Sequence, residues 1–166
     1  MNRPILLVED DENDIFFMER GMKEAGITHP VQVARDGQEA VDYLGGAGEY
    51  ADRRRFPLPC LVLLDLKLPR KMGLEVLKWI RGQPELETMI VIIMSSSKLA
   101  PDITMAYRMG ANSYLVKCPV DKLSQLLVRV MEYWLELNQA STPGLVLPGL
   151  AAKNKLTSSF EILNKS

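Results

Sequence analysis

A chain of 166 residues is one domain's worth with room left for a tail. Its apolar and charged fractions, 47% and 25%, exclude wholesale disorder, and a formal net charge of -1 leaves no basic excess of the kind a general nucleic-acid binder needs to neutralise phosphates. No stretch approaches the roughly 20 apolar residues that cross a bilayer, and Met1-Asn2-Arg3-Pro4 leads into a strand rather than a signal sequence, so a cytoplasmic location without a membrane partner is expected.

Strand-like and helix-like runs alternate five times, the pattern of a parallel sheet with helices on both faces. The first strand covers residues 4 to 8, and from Asp11 onward Ile15, Met18, Met22 and Ala25 make a helical stripe that Gly26 ends. Val31 to Ala34 reads as a short second strand, after which Asp36-Gly37 turns the chain into a helix carrying Ala40, Val41 and Leu44. Gly45 to Pro59 interrupts the rhythm with a glycine-rich start, an Arg53-Arg54-Arg55 triplet, Pro57 and Pro59. It predicts either a long loop or a helix extension closed by a proline-limited turn. The triplet reads as a solvated loop face, with a docking patch for an acidic partner as the alternative.

Leu61-Val62-Leu63-Leu64 is apolar throughout and ends abruptly at Asp65, as a buried strand does when its last residue meets solvent. After the loop from Leu66 to Met72, Leu74, Leu77 and Ile80 mark a helix over Gly73 to Gly82. Met89 to Met94 is a fourth buried strand ending in Ser95-Ser96-Ser97, Pro101 stands where a helix can begin, and Gly110 stops that helix. Ser113 to Val116 is the fifth strand and delivers Lys117. Asp121 to Asn138 is the clearest helix, with Leu123, Leu126, Leu127, Val130, Trp134 and Leu137 recurring every three or four residues.

Parallel strands bring Glu9, Asp10, Asp65, Ser95 and Lys117 to one edge of the sheet, the edge where open α/β sheets bind ligands. Carboxylate oxygens are ligands of hard cations, and magnesium suits a site with few carboxylates and open positions for water and phosphate oxygen. With that charge in place Asp65 can attack phosphorus, while Lys117 and Ser95 contact the phosphoryl oxygens. A nucleotide or flavin site would need a glycine-rich first turn, and here that turn is Glu9-Asp10-Asp11-Glu12, which repels phosphate. His29 is the only histidine, which removes most histidine-based nucleophile schemes, and it reads as a loop residue. Cys60 and Cys118 read as reduced thiols. Asp11, Glu12 and Asp14 read as first-turn helix acids favoured by the macrodipole rather than as ligands.

Taken together, ILLVEDD from Ile5 to Asp11, LLDLKLP from Leu63 to Pro69 with Gly73 following, Ser95 ahead of a helix, and GANSYLVK from Gly110 to Lys117 resemble the receiver domain of two-component response regulators. The similarity covers residues 3 to 139. It implies a doubly wound, flavodoxin-like α/β fold with five parallel strands in the order 2-1-3-4-5. It also implies a phosphoacceptor role for Asp65, with Mg2+ held by Asp10, by Glu9 through water, by Asp65 itself and by the backbone carbonyl of Lys67. Ser95 becomes the switch hydroxyl, Lys117 the phosphate-contacting lysine and Tyr114 the aromatic whose rotamer reports activation. The Gly45 to Pro59 insertion and Tyr133-Trp134 further resemble single-domain regulators that serve bacterial phytochromes.

The expected partner is therefore a histidine kinase, such as a phytochrome, with output through protein-protein contacts rather than nucleic acid and with no catalytic turnover beyond slow self-dephosphorylation. A receiver domain over residues 1–139 is expected, followed by a tail over residues 140–166 whose Leu145-Val146-Leu147 and Leu150 suit a homodimer arm. The family usually has proline directly after the lysine, joined by a cis bond; here Cys118 intervenes before Pro119, predicting a shifted cis bond or a bulged loop. A pseudo-receiver scaffold not switched by phosphate is the alternative reading. A metal-dependent phosphohydrolase is a weaker one, since position 67 lacks a second acid.

Overall fold

A computed structural model describes residues 2–139; Met1 and the proposed arm over residues 140–166 lie outside the described residues. The strands are β1 (Ile5–Val8), β2 (Val31–Ala34), β3 (Leu61–Leu64), β4 (Ile90–Ser95) and β5 (Ser113–Val116), and the helices are α1 (Glu12–Glu24), α2 (Gly37–Gly45), α3 (Gly73–Arg81), α4 (Ala100–Arg108) and α5 (Val120–Met131). All neighbouring strands pair in parallel, in the expected order β2-β1-β3-β4-β5.

The apolar runs lack polar alternation because both faces of the sheet are covered. Leu6, Val8, Val62, Leu64, Val91 and Ile93 point to the face packed by α2, α3 and α4. Ile5, Leu7, Leu61, Leu63, Ile90 and Ile92 point to the face packed by α1 and α5. Each of these aliphatic side chains stabilises the fold by about 1.5–3 kcal/mol when fully buried, and β1, β3 and β4 are buried along their whole length. On the second face α1 and α5 approach closely at Gly21, where a Cβ would lie 3.0 Å from Leu127 and 3.3 Å from Leu123.

The insertion between α2 and β3 is a loop containing one short 3-10 turn, Gly48–Ala51, so the helix-extension alternative does not hold. Gly46 ends α2 in the left-handed conformation, φ 69°, which breaks any continuation. An aromatic trio fixes the loop, with ring centroids 5.3 Å apart for Tyr43 and Tyr50 and 5.0 Å apart for Tyr50 and Phe56. The arginine triplet divides: Arg53 turns inward and donates to the carbonyls of Tyr43, Leu44 and Phe56, whereas Arg54 and Arg55 are exposed. Arg53 thus satisfies the orphan carbonyls at the end of α2.

The last helix also differs from its sequence pattern. The α-helical part of α5 stops at Met131, and Glu132–Leu137 continues with wider π-type bonding, closed by Asn138 N–H donating to the Tyr133 carbonyl at 2.7 Å. In this wider turn Trp134 and Leu135 pack against the α1 face of the core, while Leu137 is left 66% exposed despite its place in the apolar stripe. No helix among the described residues is long and apolar enough to cross a membrane.

Candidate functional site

Register assembles the edge. Val8 of β1 lies level with Leu64 of β3, so the residues that follow, Glu9 and Asp65, come side by side. Leu64 in turn lies level with Ile93, and Ser95 with Val116, which brings Ser95 and Lys117 to the same end. The backbone stays in the sheet up to the site: Glu9 N–H donates to the Ala34 carbonyl at 3.0 Å and Asp65 N–H to the Val8 carbonyl at 3.0 Å.

The loop after Asp65 is pinned at both ends. Gly73 opens α3 hard against β3, and a Cβ there would run into the Asp65 carbonyl oxygen. Gly37 opens α2 in the same way against the Lys71 carbonyl, while Arg70 Nη1 donates to Asp36 Oδ2 at 3.0 Å. Lys67, between these anchors, is exposed, and its N–H lies 3.5 Å from Asp65 Oδ1. Leu66 N–H donates to the same oxygen at 2.6 Å and so fixes the carboxylate's orientation.

Glu9, Asp10 and Asp65 each present a carboxylate oxygen, all within 4.8 Å of one another. Glu9 and Asp65 are buried and Asp10 is exposed, so the cluster has a protein wall and an open side. Like charges this close repel, and a group of hard oxygen donors fits a divalent cation.

Lys117 is the cation that the chain itself supplies. Its ammonium donates to Glu9 Oε2 at 2.7 Å, to Asp14 Oδ2 at 2.7 Å and to Asp65 Oδ2 at 3.1 Å, which uses its three N–H donors. Burial alone would lower the lysine pKa, but the hydrogen bonds to Asp14 and Glu9 and the charges of Asp65 and Glu9 hold it above the ordinary lysine value. Burial pushes the Glu9 carboxyl above its usual range, an effect that Lys117 opposes and the neighbouring Asp65 charge reinforces.

The second of these acceptors, Asp14, adds a role that the sequence reading did not give it. Of the first-turn acids, Asp11 caps α1 by accepting from the N–H groups of Asn13 and Asp14, and Glu12 pairs with Arg35 at 2.8 Å on the surface. Asp14 instead joins the site. It stands one helical turn ahead of Met18, which is buried on the face toward α5, and that spacing was the available signal.

Ser95 is fully buried, and its Oγ accepts from Ser97 N–H at 3.3 Å. The Tyr114 hydroxyl donates to the Ser97 carbonyl at 3.0 Å, and its backbone N–H donates to the Tyr107 hydroxyl at 3.2 Å. A short segment, Ser95 to Ser97, therefore ties the expected switch hydroxyl to the expected switch aromatic. No cis peptide bond occurs among the described residues, so the shifted cis bond is excluded at Lys117-Cys118-Pro119. Lys117 N–H donates to the Ser95 carbonyl at 2.9 Å, and its side chain reaches Asp65 through this trans loop.

The sequence profile of the response regulator receiver domain matches residues 5–130. The chain belongs to the response regulator receiver family. Response regulator Rcp1 of Synechocystis sp. is 35% identical to this receiver over 133 residues, which are 80% of this chain and 88% of that protein. The crystal structure of the phosphorylated cyanobacterial phytochrome response regulator RcpA superposes on the receiver with a TM-score of 0.79. It is 34% identical, over 86% of this chain and 100% of that one. The Mn(2+)-bound form of response regulator Rcp1 gives a TM-score of 0.75 at 33% identity, over 84% of this chain and 99% of that one.

Proposed function

We propose that this receiver accepts a phosphoryl group from a histidine kinase onto Asp65 in a Mg2+-dependent step and passes the signal on through protein-protein contacts. The observation that carries this reading is the meeting of Glu9, Asp10 and Asp65 with the Lys117 ammonium in one half-open crevice. Glu9, Asp10, Asp65 and the Lys67 carbonyl are the groups to hold the cation, which when bound neutralises charge on the carboxylates and on the incoming phosphoryl oxygens.

The chain's own residues do the rest. Leu66 N–H orients the Asp65 carboxylate, whose oxygen attacks phosphorus: a P–O bond forms as the P–N bond to the donor imidazole breaks and its electron pair returns to the ring. Lys117 exchanges its bond to Asp65 for a phosphoryl oxygen, and Ser95 swings its hydroxyl from Ser97 N–H toward another. Because the Ser97 carbonyl also holds Tyr114, that movement reaches the surface formed by α4, β5 and α5. The reaction stops at one phosphoryl group per chain, followed by slow hydrolysis, so the protein is a phosphoacceptor rather than a turnover enzyme.

A phytochrome-type kinase as donor is supported by the likeness to the phytochrome response regulator RcpA, which is matched over its whole length. Incubation with a small phosphodonor and Mg2+, read by intact mass, is expected to add one phosphoryl group to the wild type and none to Asp65→Asn. Equal labelling of the two, or an unmodified wild type, refutes the mechanism, and the second of these outcomes favours the pseudo-receiver scaffold. The homodimer reading rests on the apolar Leu145-Val146-Leu147 in the tail. Light scattering of a chain cut after Gln139 tests it, and an unchanged mass removes the tail's role.

A further inference from the structure

Asp14 stands outside the set assigned to the cation and the phosphoryl group, yet it takes one of the three Lys117 donors. The other two go to Glu9 and Asp65, which belong to the carboxylate cluster. An ammonium and a divalent cation thus draw on the same two carboxylates and compete for their negative charge. Asp14 is not a member of that cluster. Its side chain is 43% exposed, against 4% for Glu9 and 10% for Asp65, and it is carried by α1 rather than by a strand end.

We propose that Asp14 is a positioning residue that draws the Lys117 ammonium toward α1, loosening its hold on Glu9 and Asp65 and keeping their oxygens open to a divalent cation. This rests on the reading of Glu9, Asp10 and Asp65 as a Mg2+ site. Asp14 is also the one Lys117 partner that neither the cation nor the phosphoryl group claims. It keeps the lysine anchored while the bond to Asp65 is exchanged for a phosphoryl oxygen. Without Asp14 the freed donor turns back on Glu9 and Asp65, and the competition tips toward the lysine. An acid that only complemented the α1 dipole would alter helix stability without making Mg2+ affinity depend on Lys117.

The test is a double-mutant cycle on the full chain, with MgCl2 titrated calorimetrically into wild type, Asp14→Ala, Lys117→Met and the double variant, each first shown by circular dichroism to unfold cooperatively. Asp14→Ala is expected to weaken Mg2+ binding by about five- to tenfold in the native background and by less than about twofold beside Lys117→Met, the coupling typical of contacting residues. Unchanged affinity in Asp14→Ala overturns the proposal, and so does an equal loss in both backgrounds, which would mean that Asp14 acts on the ion without Lys117. A wild type that binds no Mg2+ overturns the reading of the site itself, whereas a wild type that binds while Asp14→Ala matches it overturns only the role of Asp14.

Discussion

Lys117 Nζ lies 3.1 Å from Asp65 Oδ2, so the cation delivered by β5 occupies the crevice into which β3 delivers its carboxylate. The same ammonium is the chief counter-charge to Glu9, whose side chain is only 4% exposed. Lys117→Met leaves those carboxylates without a cation, and in chelator the variant is expected to lose about 1–3 kcal/mol, the cost of an unpaired buried polar group. Mg2+ restores most of that loss, and the variant gains more from the ion than the wild type does. Urea unfolding with and without Mg2+ measures both, and equal gains in the two proteins contradict the competition.

Adjacent acids separate two roles. Asp10→Asn removes a carboxylate from the three-acid cluster and is expected to abolish Mg2+-dependent labelling of Asp65 while leaving stability within about 0.5 kcal/mol of wild type. Asp11→Ala removes the α1 cap, costs about 0.5–2 kcal/mol, and leaves labelling intact. Parallel melting and intact-mass measurements distinguish them, and loss of labelling in Asp11→Ala would move the cation site.

Gly73→Ala sets a methyl group against the Asp65 carbonyl oxygen, backbone that β3 cannot easily move. A cost of about 1–3 kcal/mol is expected from the forced shift, together with slower phosphorylation, because the displaced residue is Asp65 itself. The control Gly82→Ala, where the nearest heavy atom lies 3.4 Å away, is expected to change neither rate nor stability by a comparable amount.

Tyr50 gives a pH signature in the insertion. Burial, then its hydrogen bond to Glu39, push the phenol from 10.0 up to about 12. Between those values the folded chain keeps a proton that the unfolded chain loses, so this contribution is full below pH 10 and is lost as pH rises toward 12. Solvent screening keeps it to about 1 kcal/mol or less. The stability difference between wild type and Tyr50→Phe should therefore shrink from pH 9 to pH 11, roughly the onset of phenol ionisation, and a constant difference in urea unfolding would contradict it.

Much of this was legible in the sequence. Leu61 to Leu64 announced a doubly covered strand because no polar residue interrupts it, and the acids closing β1 and β3 stood out because an apolar run ending in charge marks the edge of a sheet, although the structure buries both carboxylates there rather than giving them to solvent. The tie between Ser95, Ser97 and Tyr114 was not legible, since it needs β4 and β5 in register, nor was the inward turn of Arg53 within a run of like residues.

What the sequence determined by itself is which residues each strand and helix carries and which face of its own axis they occupy, since a period of two or 3.6 is a local property of the backbone. What only the tertiary structure decided is which face meets which neighbour. Asp14 was visibly a first-turn acid, but its pairing with Lys117, 103 residues away, depends on α1 lying beside α5 at Gly21 and on β5 ending level with β4. A charge acquires its role from the partner within reach, and that partner is fixed by packing between elements rather than by the pattern within one.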